Sequence, residues 1–276
     1  MSGIGLVFLR RGGQAHPTAG SDYIITAERS DPEVFRILMA NGVSSDGVGI
    51  TKEDAAKVTT IGTWFANSSI VSFDELQYFT GLQSIEGGTQ KGGAFYNCTS
   101  LTSIVLPPTP IQVEAYAFYQ CSALTDVAGW ESITKLGIAA FSTCPLTNVI
   151  DVRMPLLTGT LAQYTFSSVK SPMRLLDLGS ITATSGTAYS TQILSAYVDT
   201  IRLPATLSSL SNFAFRNATG LRVVICDALT PPTLGSNPFM AVTANFYVPD
   251  EVVDTYKTGG WSSYADRIFP LSSYTE

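Results

Sequence analysis

Beyond residue 60 the apolar positions fall into a recurring order. Ala94-Phe95, Cys98, Leu101, Ile104, Leu106 and Pro107 spell A-F-x-x-C-x-x-L-x-x-I-x-L-P. Ala117-Phe118-Tyr119-Gln120-Cys121 with Leu124 is a second copy. Ala140-Phe141-Ser142-Thr143-Cys144 with Leu146, Val149 and Val152-Arg153-Met154-Pro155 is a third. Thr165-Phe166 followed by Leu176-Asp177-Leu178, the stretch 198–204, Ala214-Phe215 with Leu221 and Val224, and Pro238-Phe239 with Phe246-Tyr247-Val248-Pro249 continue the series. Each unit predicts a short helix or turn carrying the Phe, then a short strand of alternating apolar residues. Pro ends the strand because it has no N–H to give to a ladder. One such unit cannot bury its apolar side, whereas stacked units bury Phe on Phe and Leu on Leu in columns.

Phe95, Phe118 and Phe141 are spaced by 23 and 23 residues, Phe141 and Phe166 by 25, Phe166 and Phe215 by 49, and Phe215 and Phe239 by 24. A unit of 23 to 25 residues, with 49 as two of them, lies in the leucine-rich-repeat range. The predicted fold is a leucine-rich-repeat solenoid of short parallel β-strands with short helices or turns. It is expected as one curved sheet over residues 61–249, between an N-terminal and a C-terminal helical cap. The A-F-x-x-C-x-x-L-x-x-I-x-L-P unit resembles the BspA-like leucine-rich repeat of gut and oral bacteria and their phages. The final segment, Tyr247-Val248-Pro249-Asp250 through Trp261 and Ile268, is similar to the end of many such solenoids and marks residues 250–276 as the C-terminal cap. The resemblance implies adhesion at a cell surface. A phage or prophage virion component, such as a fibre or receptor-binding decoration, is the alternative.

Residues 1–20, Gly-rich and holding the single histidine, His16, are expected as an extended arm. Residues 21–60 differ in kind from the repeats. Asp31-Pro32-Glu33 sets a cap residue and a first-turn Pro before the apolar Val34-Phe35, and Thr51-Lys52-Glu53-Asp54 starts a second helix. Between them the segment 41–50 with Glu53 resembles a dockerin or EF-hand loop. With Gly47 at the sixth position, Asp46 and Glu53 match the fifth and twelfth, but Gly42 and Ser44 stand at the first and third, where calcium needs oxygen ligands. The expectation is a helix-loop-helix without calcium, and no cofactor elsewhere.

The chain has 276 residues, only 14% of them charged, and a net charge of −6, with a mean hydropathy of +0.20. Its surface is therefore rich in Ser, Thr, Asn, Gln and Gly. No basic stripe is available to neutralise phosphates, which argues against nucleic acid and anionic membranes as partners. The apolar run 4–9 is far shorter than the roughly 20 residues of a membrane span. Arg10 and Arg11 follow that run rather than precede it, so no signal peptide is expected.

Cys98, Cys121 and Cys144 share one repeat position and should stack in a column of buried thiols, with a disulfide between adjacent members as the alternative. The paired C-x-x-C spacing of a zinc site is absent. His16 has no companion, no Ser lies in a nucleophile elbow, and no spacing singles out two carboxylates, so no enzyme is expected. Gly87-Gly88 and Gly92-Gly93 around Thr89-Gln90-Lys91 read as a flexible insertion. The N-x-[ST] triplets at Asn67, Asn97 and Asn217 read as chance.

Side chains alternate across a strand. If Ile104 and Leu106 point inward, Val105 points to solvent, and its equivalents are Arg153, Asp177, Arg202, Ile225 and Tyr247. This column is read either as a charge ladder that stabilises the sheet or as a face for a protein or glycan partner. The expected function is a non-catalytic binding or adhesion module.

Overall fold

The computed structural model describes residues 22–90, 92–186 and 193–275. The arm with His16 lies outside them. Beyond residue 60, most units carry two short strands rather than one. A Phe-bearing turn leads into a first strand, a corner follows, and a second short strand returns the chain to the next Phe turn. The first strands stack as Ser72–Phe73, Ser103–Val105 and Asp126–Ala128 in one sheet. Asp151–Arg153, Met173–Asp177, Val198–Leu203, Val223–Cys226, Asn245–Val248 and Ile268–Pro270 form another, six strands wide. The second strands make their own row: Ser84–Ile85, Ile111–Val113 and Ile133–Leu136, then Thr158–Leu161, Ser180–Thr184, Ser209–Leu210 and Thr233–Leu234. All pairings within both rows are parallel. The expected single sheet is thus corrected to two rows. Stretches such as Ile111-Gln112-Val113, buried, exposed, buried, present an apolar side of their own to the core.

The Phe segments are turns, not helices. Left-handed φ recurs at two main-chain positions of these turns, at both in the turns of Phe118, Phe141, Phe215 and Phe239 and at one in the others. Two residues after the Phe stand Asn67, Asn97, Gln120, Thr143, Asn217 and Ala241, and two residues before it stand Tyr116, Ala139, Tyr164, Phe213 and Asn237, with φ between 49° and 69°. A residue in that region cannot continue a right-handed helix. The amides freed from helical bonding reach the next unit instead: Phe95 N bonds Ala117 O and Phe118 N bonds Ala140 O, both at 2.9 Å, and Asn97 N bonds Tyr119 O at 2.8 Å. The third side of the solenoid is therefore also stitched by main-chain hydrogen bonds. The three N-x-[ST] triplets acquire a physical reason, because Asn tolerates left-handed φ better than most residues. Asn97 Nδ2 also bonds Asn67 Oδ1 at 3.0 Å.

Inside, the rings stack. Phe65, Phe95, Phe118 and Phe141 lie 5.2, 5.0 and 4.9 Å apart, within 15° of parallel. Trp130 bridges Phe141 and Phe166 at 5.0 and 5.9 Å, and a bridge from Phe166 to Leu194 shows that Leu194 fills the Phe position of the next unit. Cys98, Cys121 and Cys144 are buried free thiols. Each donates to the carbonyl of the preceding Phe: Phe65 at 2.9 Å, Phe95 at 3.0 Å and Phe118 at 3.1 Å. None of the three is joined to its neighbour as a disulfide.

The insertion between Phe65 and Phe95 is held closely where it rejoins the stack: a Cβ on Gly93 would stand 2.2 Å from Tyr116 O. Glycine is required there by packing rather than by flexibility. Position 91 lies outside the described residues.

Residues before the first unit fold onto it. Asp31 caps helix Pro32–Ala40 through Glu33 N at 2.8 Å and Val34 N at 3.3 Å, and its second oxygen accepts from Val71 N and Ser72 N at the start of the first strand. Helix Lys52–Ala56 opens on the reciprocal Thr51–Asp54 capping box. At the other end the helical character is slight: Val253–Tyr256 is one α-turn and Gly259–Arg267 is 3-10. Tyr256 and Trp261 are buried and donate to Ala228 O and Pro232 O, both at 2.8 Å. Strand Ile268–Pro270 pairs with Asn245–Val248, which lengthens the sheet rather than ending it. No helix among the described residues is long and apolar enough to cross a membrane.

Candidate partner-binding face

Parallel register aligns the column expected from the sequence. Asp177 lies opposite Arg153 on one side and Arg202 on the other, Arg202 opposite Ile225, Ile225 opposite Tyr247, and Tyr247 opposite Phe269. All five residues share one line across the six-stranded sheet. Ile225 does not point freely to solvent, however: it is 4% exposed. It lines a cleft of about 160 Å³ with Arg153, Arg174, Leu175, Thr200, Arg202 and Tyr274. Tyr274 comes from the segment after the last strand, which turns back over the sheet so that its ring stands 5.0 Å from that of Tyr247. Alternation along one strand cannot reveal a cover that comes from another part of the chain.

The column is half of a larger pattern. Each of four successive strands has one Asp and one Arg at or just beyond opposite ends, and the order reverses from strand to strand. Asp151 precedes Arg153, Arg174 precedes Asp177, Asp199 precedes Arg202, and Arg222 precedes Asp227. Opposite charges therefore meet across the strands at both ends. Arg174 Nε bonds Asp151 at 3.0 Å, Arg222 Nε bonds Asp199 at 2.6 Å, and Arg202 grips both oxygens of Asp227 at 2.7 and 3.1 Å. Arg153 is looser, 3.8 Å from Asp177. In every pair the arginine stands outermost: the Arg side chains are 43–78% exposed and the Asp side chains 24–30%. The face thus presents guanidinium groups held from below by carboxylates, with Leu175, Thr200 and Ile225 between the two charged lines. Asp151, Arg174, Asp199, Arg222 and Asp227 were not singled out from sequence, because a reading of one residue per strand keeps only one column. Counting Asp and Arg at both strand ends would have found them.

A notch adjoins this face. Between strands Met173–Asp177 and Ser180–Thr184 the corner is only Leu178-Gly179, shorter than the corners of the units on either side. Gly179 allows it, with φ +61° and a place where a Cβ would stand 2.0 Å from Met154 O. The longer neighbouring corners, with Pro155 and Pro204-Ala205, wall a cleft of about 460 Å³ that Arg153, Asp177, Arg202 and Asp227 share.

The two candidate calcium ligands each have partners of their own. Asp46 accepts from Tyr23 OH, Val48 N, Gly49 N and Ser44 OH. Glu53 is paired with Lys57 Nζ at 2.7 Å, one helical turn away. The loop is closed by its own hydroxyl and amide donors. The hydrogen bond from Tyr23, then those of the Val48 and Gly49 amides, hold the Asp46 carboxyl down at about 2.

Six copies of the BspA type leucine rich repeat region match residues 89–222. No curated protein matches the chain. The matched span contains Arg153, Asp177 and Arg202, and leaves Ile225, Tyr247 and Tyr274 beyond its end.

Proposed function

From the match of residues 89–222 to BspA type leucine-rich repeats we propose that the protein is a protein-binding module whose contact surface is the Arg–Asp face of the six-stranded sheet. Leucine-rich repeats are binding scaffolds as a class, because stacked units offer an extended, regular surface. The observation that carries the reading is the concentration of charge. In a chain with 14% charged residues, four successive strands hold four Arg and four Asp on one side, guanidinium groups outermost. Exposed ion pairs contribute about 0–1 kcal/mol each to stability, so folding alone gives little reason for the array. Arginine and tyrosine, by contrast, are enriched among residues that dominate binding, and Tyr247 and Tyr274 adjoin the Arg line.

The test is a screen of the purified chain on an array of extracellular and cell-surface proteins, repeated with Arg153→Ala/Arg202→Ala. The double variant is expected to lose the hits while its melting temperature stays within a few degrees, in keeping with the small worth of exposed pairs. Hits that survive in the double variant would place the contact surface elsewhere.

A further inference from the structure

A second cleft, of about 610 Å³, opens on the other row of strands and shares no lining residue with the Arg–Asp face. Its position is set by an interruption. Strand Ile133–Leu136 pairs with Ile111–Val113, and strand Thr158–Leu161 pairs with Ser180–Thr184, but these belong to different sheets. Facing strand edges thus border the gap, spanned by a long contact from Thr158 Oγ1 to Thr134 O at 3.5 Å. Both pairings also slip register here, at Ile111/Gln112 and at Gly159/Thr160. Such irregularities collect beside functional sites, where they re-aim side chains.

We infer that this cleft binds a neutral oligosaccharide. The size fits: ligand pockets run from about 300 to 1,000 Å³. Its lining mixes hydrogen-bond donors and acceptors, from the Gln112 amide, the Thr134, Thr158 and Thr160 hydroxyls, and the Glu114–Lys135 ion pair. Lys135 Nζ stands 3.1 Å from each oxygen of Glu114, so the charges cancel locally. A phosphate or sulfate accepts only, and an ammonium group donates only. Each would satisfy half of this lining and would have to break the ion pair. Sugar hydroxyls do both. Ile138, 38% exposed at the same cleft, offers an apolar surface for the C–H face of a pyranose ring. Gly159 has φ +76° and no atom within 4 Å of where a Cβ would stand, so its main chain lies open to close approach by a ligand. The inference stands apart from the protein-binding reading, since the two surfaces have separate residues.

The experiment is saturation-transfer NMR on the full chain with neutral hexasaccharides (α-1,4-glucan, β-1,4-glucan, β-1,3-glucan, mannan and N-acetylglucosamine types) and trigalacturonate as the charged control. At least one neutral hexasaccharide is expected to bind with a Kd of about 1 mM or tighter, and trigalacturonate is not. Thr160→Arg, which fills the cleft from an exposed position, and Glu114→Gln, which unbalances the ion pair, should each weaken binding roughly tenfold or more at unchanged melting temperature. Arg153→Ala/Arg202→Ala should leave it intact. The inference is overturned if none of the neutral sugars binds, if trigalacturonate binds as well as they do, or if binding survives both cleft variants.

Discussion

The thiol of Cys121 donates to the main-chain carbonyl of Phe95, 3.0 Å away in the preceding unit. The bond ties the side-chain column of one repeat to the backbone of another. The thiol column is thereby both packed and hydrogen-bonded, and reactivity suffers accordingly. A hydrogen bond with Cys121, together with burial, pushes the Cys98 thiol up, and burial does the same to Cys121 and Cys226. The thiolate is the reactive form, so Ellman's reagent is expected to label none of the four cysteines in the native protein and all four in guanidinium. Labelling of the folded protein within minutes would contradict the column.

Phe118 stacks on both sides, 5.0 Å from Phe95 and 4.9 Å from Phe141. Phe118→Ala should cost about 3–5 kcal/mol by the lost transfer energy and the cavity left behind. Phe118→Leu should cost less than about 1.5 kcal/mol if the neighbours repack, since Leu194 already fills the same position behind Phe166. Urea unfolding of the two variants measures the difference, and equal losses would deny the column its special packing.

Gln120 occupies a left-handed position, φ +67°, for which its neighbour in the preceding unit is Asn97. Left-handed φ costs an ordinary residue about 1–2 kcal/mol, and Asn is among the few that visit it routinely. Gln120→Asn is expected to raise stability by about 0.5–1 kcal/mol and to extend the Asn67–Asn97 side-chain bond by one rung. A fall in the urea midpoint would show that the strain argument does not hold at this site.

Much of this architecture was readable as period. The Phe, Cys and Leu spacings mark the units from Phe95 to Phe239, and the stacked rings follow from them. The unit at Phe65 was invisible because the insertion sets it 30 residues before Phe95. Ser68 also stands there where later units have Cys. Leu194 replaces the ring of another unit, which the 49-residue spacing from Phe166 to Phe215 and the stretch 198–204 still marked. The second row of strands was missed because its members are two to five residues long, too short for alternation to stand out from a loop. At the candidate face, Arg153, Asp177 and Arg202 were legible as a column, whereas the cover over Ile225 depends on where residues 271–275 come to rest, which no local pattern encodes.

Asp46 provides a test by pH. Its carboxyl is held at about 2, below the ordinary value of 3.8, first by the Tyr23 hydroxyl and then by the amides of Val48 and Gly49. A depressed folded-state value means that the contribution is present above pH 4 and disappears as the pH falls through about 2. The side-chain carboxyl carbon of Asp46 should titrate with a midpoint near 2, and Tyr23→Phe should move that midpoint upward. An ordinary midpoint in the unaltered protein would mean that Tyr23 does not hold the loop closed.

The reversal of Asp and Arg from strand to strand has a consequence for changes of length. Excising the unit of Met173–Asp177 would bring Asp151 next to Asp199 and Arg153 level with Arg202, and duplicating that unit would set Arg174 and Asp177 against their own copies, like charge against like at both ends, which opposes pairing. Losing two units would instead set Asp151 and Arg153 beside Arg222 and Asp227, with every pair restored. Through these four strands a change of length by two units keeps every pair, whereas a change by one sets like charges side by side.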